Sequence, residues 1–423
     1  MFAGCAPASD ADPTVFAITA VVEVGEAPHG IRFSADGDTA YVALSGEGRI
    51  AVVDLTTNQV AAKWEAGTTP LDLIATAGGW LVSQFRDSVL IRLDTEGRLV
   101  PGGEIHVGAG PSLFTPDPVR GLAWITLEFA DAVVEVDLET GSVTASQPTG
   151  DRPYPGDALR DGSHLYVPNL EDGTVSVIDL LNRELDATVG VCPGPPGGAL
   201  TPDQVTFVVA CGGSDEVVFI NTASFEVAGR VSEGLGPRPF SVAVDATGRY
   251  ALVNNSGGST ISVVDLAAAV VVQRIEVGEQ PIVVRRHPDG RRVLVSTEVS
   301  GTLVILEPVA RPESPSAGGS PRTDETGPGA AGGGPRTEVV VLGMIHGEHE
   351  TSTLYGLGVV RALVPEIDPD YWLTETGHKG WFLRALGERD DVELLDAGPF
   401  LDAIERSAIE RTAIGDHRQD LVP

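Results

Sequence analysis

The 423-residue chain is nearly without lysine: Lys63 and Lys379 are the only two, and lysine and arginine together number 28 against 60 acidic residues. The resulting net charge of −32 repels phosphate backbones and anionic headgroups, which argues against nucleic acid as a partner. The preference for arginine carries no functional reading. Apolar runs of the length that crosses a bilayer as a helix, about eighteen residues, are also missing. A membrane is therefore reachable only through an added lipid anchor. Cysteine is scarce, at 3 residues, and none stands in a Cys-x-x-Cys-His arrangement, which leaves covalent haem unsupported.

What is abundant is glycine and proline, 51 and 30 residues, together with a hydrophobic fraction of 42%. That combination is too rich in chain breakers for helices and ample for a core. It predicts an all-β protein of short strands and tight turns. A repeat then fixes the architecture. Apolar runs ending in an acidic or amide residue recur as Ile50–Asp54, Val89–Asp94, Val133–Asp137, Val175–Asp179, Val217–Asn221, Ile261–Asp265 and Leu303–Glu307, with ends 40, 43, 42, 42, 44 and 42 residues apart. A second marker keeps the same period: a proline opens each unit, at Pro28, Pro70, Pro111, Pro153, Pro196, Pro239 and Pro281.

Within a unit, proline leads into a short apolar strand, an Asp-Gly turn follows as at Asp36-Gly37, and a β-rich segment such as Tyr41-Val42-Ala43-Leu44 precedes the run ending in Asp. A further turn such as Glu139-Thr140-Gly141 leads to a fourth strand. Four antiparallel strands at this spacing make one propeller blade. Val21-Val22-Glu23-Val24-Gly25 matches the fourth-strand ending Arg274-Ile275-Glu276-Val277-Gly278 but precedes the first complete unit, whereas the last unit has no fourth strand. The N-terminal strand is thus expected to complete the last blade and close a seven-bladed ring.

These residues resemble the YVTN-repeat propellers, the YncE-like group related to lactonase-type seven-bladed propellers. The match is clearest in His164-Leu165-Tyr166-Val167-Pro168-Asn169 followed by Thr174-Val175-Ser176-Val177-Ile178-Asp179. The resemblance implies fold rather than chemistry, since such propellers include binding proteins, lactonases and dehydrogenase subunits.

Ligands of a propeller gather at the channel mouth, where the loops entering each inner strand meet the turns between second and third strands. Ten residues before each run's end lie Leu44, Gln84, Leu127, Asn169, Cys211, Asn255 and Thr297, the expected ends of the second strands. The candidate ligand-binding residues in this zone are His29, Arg86, Glu128, Tyr154, Asp157, Asn169, Asn255 and Glu298. Asn169 and Asn255 read either as ligand groups or as turn residues bonded to their own backbone. A lactonase-like hydrolase would draw Glu128, Asn169, Asn255 and Glu298 together around a divalent metal. Cys192 and Cys211 map to one face of the fifth blade, where they form either a disulfide or a pair of small buried thiols.

The ends add an address and a second domain. Met1-Phe2-Ala3-Gly4-Cys5 reads as the end of a lipoprotein signal with Cys5 as the acylated residue, followed by a tether to residue 15, or else as a chance cysteine near a frayed terminus. The propeller spans residues 16–308, a Pro/Gly/Ser-rich linker 309–336, and a partial α/β segment 337–423. In that segment a strand, Glu338 to Leu342, leads to Gly343-Met344-Ile345-His346-Gly347-Glu348-His349, and a second strand ends at Glu375. This resembles the start of a TraB/PrgY-type hydrolase-like domain. The resemblance implies His346 and Glu375 as metal ligands or catalytic acid/base groups; separately, histidines three apart among acidic neighbours make His346 and His349, with Glu375, candidate ligands of a divalent metal, and a solvated polar loop is the other reading. The leading expectation is an extracytoplasmic, monomeric propeller that binds a protein, peptide or cell-surface ligand. A lactonase-like hydrolase and an accessory to a TraB-like hydrolase are the alternatives.

Overall fold

The computed structural model describes residues 15–117 and 119–309. Cys5, His346, His349 and Glu375, with the linker from residue 310 onward and the segment 337–423, lie outside the described residues. Within them the chain forms seven four-stranded antiparallel sheets, the blades of a closed propeller. We number blades 1–7 in chain order and letter strands A–D from the channel outward. Blade 1 runs Pro28–Phe33, Thr39–Leu44, Arg49–Asp54 and Gln59–Glu65. Second strands end at Leu44, Gln84, Leu127, Asn169, Cys211, Asn255 and Thr297, the positions expected from the repeat.

Each marker has a physical cause. Strand A is a sheet edge, where proline loses no ladder bond. Pro28, Pro70, Pro111, Pro153, Pro239 and Pro281 each pair with the last residue of strand B. The run-ending Asp or Asn caps the turn between strands C and D: Asp179 Oδ1 accepts from the backbone N–H of Leu181 and Asn182 at 2.8 and 2.9 Å, and Asn221 Oδ1 from Ala223 and Ser224 at 3.0 Å each. Asp54, Asp94, Asp137 and Asp265 do the same. Glu307 is the exception because blade 7 has no such turn.

Strand D of blade 7 is supplied by Phe16–Glu23, which pairs antiparallel with Thr302–Pro308 from Phe16↔Pro308 to Glu23↔Thr302. The neighbouring blade grips it as well. Gln273 Oε1 accepts from Val15 N and Phe16 N at 2.8 and 2.9 Å, and its Nε2 donates to Phe16 O at 2.8 Å. The Phe16 ring is buried and packs edge-on against Tyr250, 6.3 Å between centroids.

Because side chains alternate along a strand, each inner sheet sends one set of residues to the blade before it and one to the blade after. Accordingly the buried apolar side chains fall into seven clusters, one per seam. The seam between blades 3 and 4 is the most polar. Its cluster contains Trp124, Val133, Leu165, Val167, Ile178 and Leu180. Trp124 Nε1, Thr126 Oγ1 and Glu135 Oε2 are buried there without a protein partner. The same seam carries Glu128 at its mouth end.

The closure makes a specific demand on one side chain. Phe16→Ala should lower unfolding stability by about 3–5 kcal/mol in denaturant titration, whereas Ile18→Ala, on the exposed side of the same strand, should change it by less than about 0.5 kcal/mol.

Candidate functional site

The mouth is built from the turns between strands B and C and the loops that lead from strand D into the next strand A. All seven B–C turns hold one residue in the left-handed region, Gly48, Ser88, Asp131, Gly173, Asp215, Ser259 and Gly301. At two of these the residue is an aspartate whose carboxylate reaches the next loop: Asp131 Oδ1 accepts from Arg152 N at 2.9 Å and Asp215 Oδ1 from Arg238 N at 2.7 Å. Arg152 and Arg238 are themselves left-handed, with φ of 57° and 52°, immediately before the blade-opening prolines. Two arginines are thus presented alike at the entrances to blades 4 and 6.

The residues after those prolines are aromatic. Tyr154 and Phe240 meet edge-to-face, 5.9 Å between centroids, although they belong to blades separated by blade 5. They can do so because the equivalent residue of blade 5 is Gly197, where a Cβ would stand 2.9 Å from Phe240 O. The result is a cup of ≈ 640 Å³ walled by Arg152, Tyr154, Arg238, Phe240, Ser256 and the Cys192 loop. Cys192 and Cys211 form a disulfide, Cα–Cα 5.9 Å, that ties this loop to the end of strand B. Phe240 also packs, with Leu113, against the cluster holding Ile31 and Ile282, so side chains of four blades meet in the channel below the cup.

Glu128 sits beside the cup, buried, with Arg152 Nε 3.9 Å from its carboxylate. Burial pushes its carboxyl up to about 7, against the lowering influence of Ser112, Arg152 and Tyr154. Burial also raises the Tyr154 phenol, to about 12, helped by the nearby Glu128 charge. Arg152 bridges outward as well, donating to Glu171 at 3.1 Å and to Tyr154 Oη at 3.4 Å. Glu128, Arg152 and Tyr154 therefore form one hydrogen-bonding and charge-coupled group at the cup's edge.

The other sequence candidates are placed separately. His29 Nε2 lies 3.8 Å from Glu298, which accepts from Gln280 Nε2 at 2.6 Å. This group spans blades 7 and 1, and hydrogen bonding to His29 lowers the Glu298 carboxyl. Arg86 is exposed on the rim. Asp157 lies inside the channel, its carboxylate accepting from Leu200 N at 3.1 Å and Ala158 N at 3.0 Å. Asn169 and Asn255 are fully buried. The Asn169 amide contacts Thr174 Oγ1 and Ser176 Oγ at 2.9 Å, and Asn255 contacts Thr260 and Ser262 in the same way. With its oxygen turned to those hydroxyls, Asn255 donates to Gly236 O at 3.3 Å. Asn255 thereby braces the entry loop of blade 6, whereas Asn169 bonds to strand C of its own blade and its Oδ1 is buried without a partner among the described residues.

Glu128, Asn169, Asn255 and Glu298 thus each have partners of their own. Among the described residues, the one group with metal-ligand spacing is Cys192, Cys211 and Glu216, and its two sulfurs are bonded to each other. A second cavity, ≈ 420 Å³, opens on the far face. Its Arg120 is already engaged by Asp117, Leu180 O and Gly162 O. Arg238 and Phe240 were not among the sequence candidates. They stand in the repeat where Arg152 and Tyr154 stand, and aligning the two proline columns would have found them.

A carboxyl raised by folding favours the folded state below the unfolded pKa and loses that contribution as pH rises through the folded value. For Glu128 the window runs from about 4.5 to about 7. Glu128→Gln should therefore match the parent near pH 4 and exceed it by about 3 kcal/mol at pH 8, read by urea unfolding at both pH values.

No family model matches the chain, and no curated protein does. Among solved structures, Kuenenia stuttgartiensis hydrazine synthase superposes with a TM-score of 0.60 at 18% identity, over 67% of this chain and 96% of that chain. The likeness is one of fold: the described part of this chain is a seven-bladed β-propeller.

Proposed function

We propose that this chain is a binding propeller of the YVTN-repeat type, working outside the cytoplasm and taking a protein, peptide or cell-surface ligand in the cup across blades 4–6. The observation that carries the reading is the cup itself: an aromatic floor, Tyr154 and Phe240, flanked by two arginines fixed by aspartate clamps, in a volume of ≈ 640 Å³. Apolar rings with a few convergent polar groups are the usual make-up of a ligand site, and Tyr, Phe and Arg side chains carry much of the energy in protein recognition. The cup is built wholly from one chain, so one copy suffices.

One further feature supports the address: the Cys192–Cys211 bond fits an oxidising compartment.

Peptides selected from a random display library on the full chain provide the test. Binders that use the cup should lose affinity about tenfold or more on Phe240→Ala and keep it on Leu181→Ser, an exposed residue of the far face. Binders indifferent to Phe240→Ala and Arg238→Ala would contradict the site. In cells, alkylation before and after reduction should find Cys192 and Cys211 oxidised; free thiols would contradict the compartment.

A further inference from the structure

Below the cup, the inner strands bring a set of charges into the channel. Arg32 of blade 1 binds Asp72 of blade 2 through two nitrogens, Nε to Oδ1 at 3.0 Å and Nη2 to Oδ2. Asp72 Oδ2 also accepts from Phe114 N of blade 3 at 2.9 Å, so both carboxylate oxygens are occupied. Arg285, on strand A of blade 7 (Pro281–Arg286), feels the charges of Arg32, Asp72 and Asp157. Arg285, Arg32, Asp72 and Asp157 all stand on strands A, the innermost strands of their blades, which line the channel.

Arg285 has no counter-ion of its own. Its Nε is buried without a hydrogen-bond partner, and among the described residues it makes no ion pair. Asp72 is committed to Arg32. Both oxygens of Asp157 accept backbone N–H groups. Burial and the Arg32 charge lower the Arg285 guanidinium to about 10, still fully protonated at neutral pH. Arg285 is half-buried, and an enclosed Nε–H without an acceptor is costly. The planar fork it presents matches a carboxylate.

We propose that the channel holds a site for a small carboxylate or carboxylate-like oxyanion, bound by Arg285 with Arg32 supplying a second positive charge. The site is separate from the cup and does not depend on what the cup binds.

Acetate is the probe, acetamide its neutral isostere, with the full chain at constant ionic strength. Acetate should raise the melting temperature saturably, by about 2–4 °C, and acetamide should not. The rise should vanish in Arg285→Met and persist in Arg86→Ala, a rim arginine. In the parent protein the Arg285 Nε–H resonance should shift with the same saturation, a readout that needs no variant to fold. Absence of a saturable response, an equal response in Arg285→Met, or an Arg285 resonance unmoved by acetate would each overturn the site.

Discussion

Everything in this molecule depends on one pairing, that of Phe16–Glu23 with Thr302–Pro308. A propeller blade buries its two faces only against neighbours, so the ring is stable when every seam is occupied. Without the N-terminal strand, blade 7 would present the bare edge of Thr302–Pro308. Blade 6 would also lose the strand that Gln273 and Tyr250 hold. The closure is made of backbone ladder bonds, a glutamine that donates once and accepts twice, and one buried aromatic ring. The joined segments come from opposite ends of the described chain, so the closure is a pairing of very long sequence separation.

Both ends of the described chain meet at the side of the A–B turns, joined by Val309 N to Val15 O at 2.9 Å, while the B–C turns and the loops into strand A lie at the opposite face. On that face the blades differ from one another where the packing does not constrain them. Blade 5 has glycine at the inner position, and Tyr154 and Phe240 from its neighbours lean into the space. The disulfide then stiffens the loop that walls it. Loops positioned by a rigid frame are where binding residues collect, and here the frame also determines that two arginines stand at equivalent entrances.

Much of this was legible in the residues. The recurring Asp could be read because a turn cap needs a short side chain that reaches two backbone N–H groups, and Glu307 departs from it where no turn exists. The recurring Pro could be read because it tolerates a sheet edge. The strand ends followed from counting, and so did the N-terminal closure. The direction of individual side chains did not follow. Asn169, Asn255 and Arg86 share the mouth level in sequence, but alternation and local hydrogen bonding turn the two asparagines into the blade, whereas Arg86 points to solvent. Asp157 stands on the short inner strand Asp157–Ala158 of blade 4, with both carboxylate oxygens turned to backbone N–H groups. Arg238 and Phe240 were missed because each looked ordinary alone. Their role is visible only beside Arg152 and Tyr154, one in each of two non-adjacent blades.

The claim on which the rest stands is that the N-terminal strand belongs to the last blade. Amide hydrogen exchange of the full chain tests it directly. If the ring is closed as described, the ladder amides within Phe16–Glu23 should exchange as slowly as those of Thr302–Pro308, both opening only with global unfolding. Exchange of the N-terminal amides faster by orders of magnitude, with Thr302–Pro308 still protected, would show that the seventh blade is not completed by this strand.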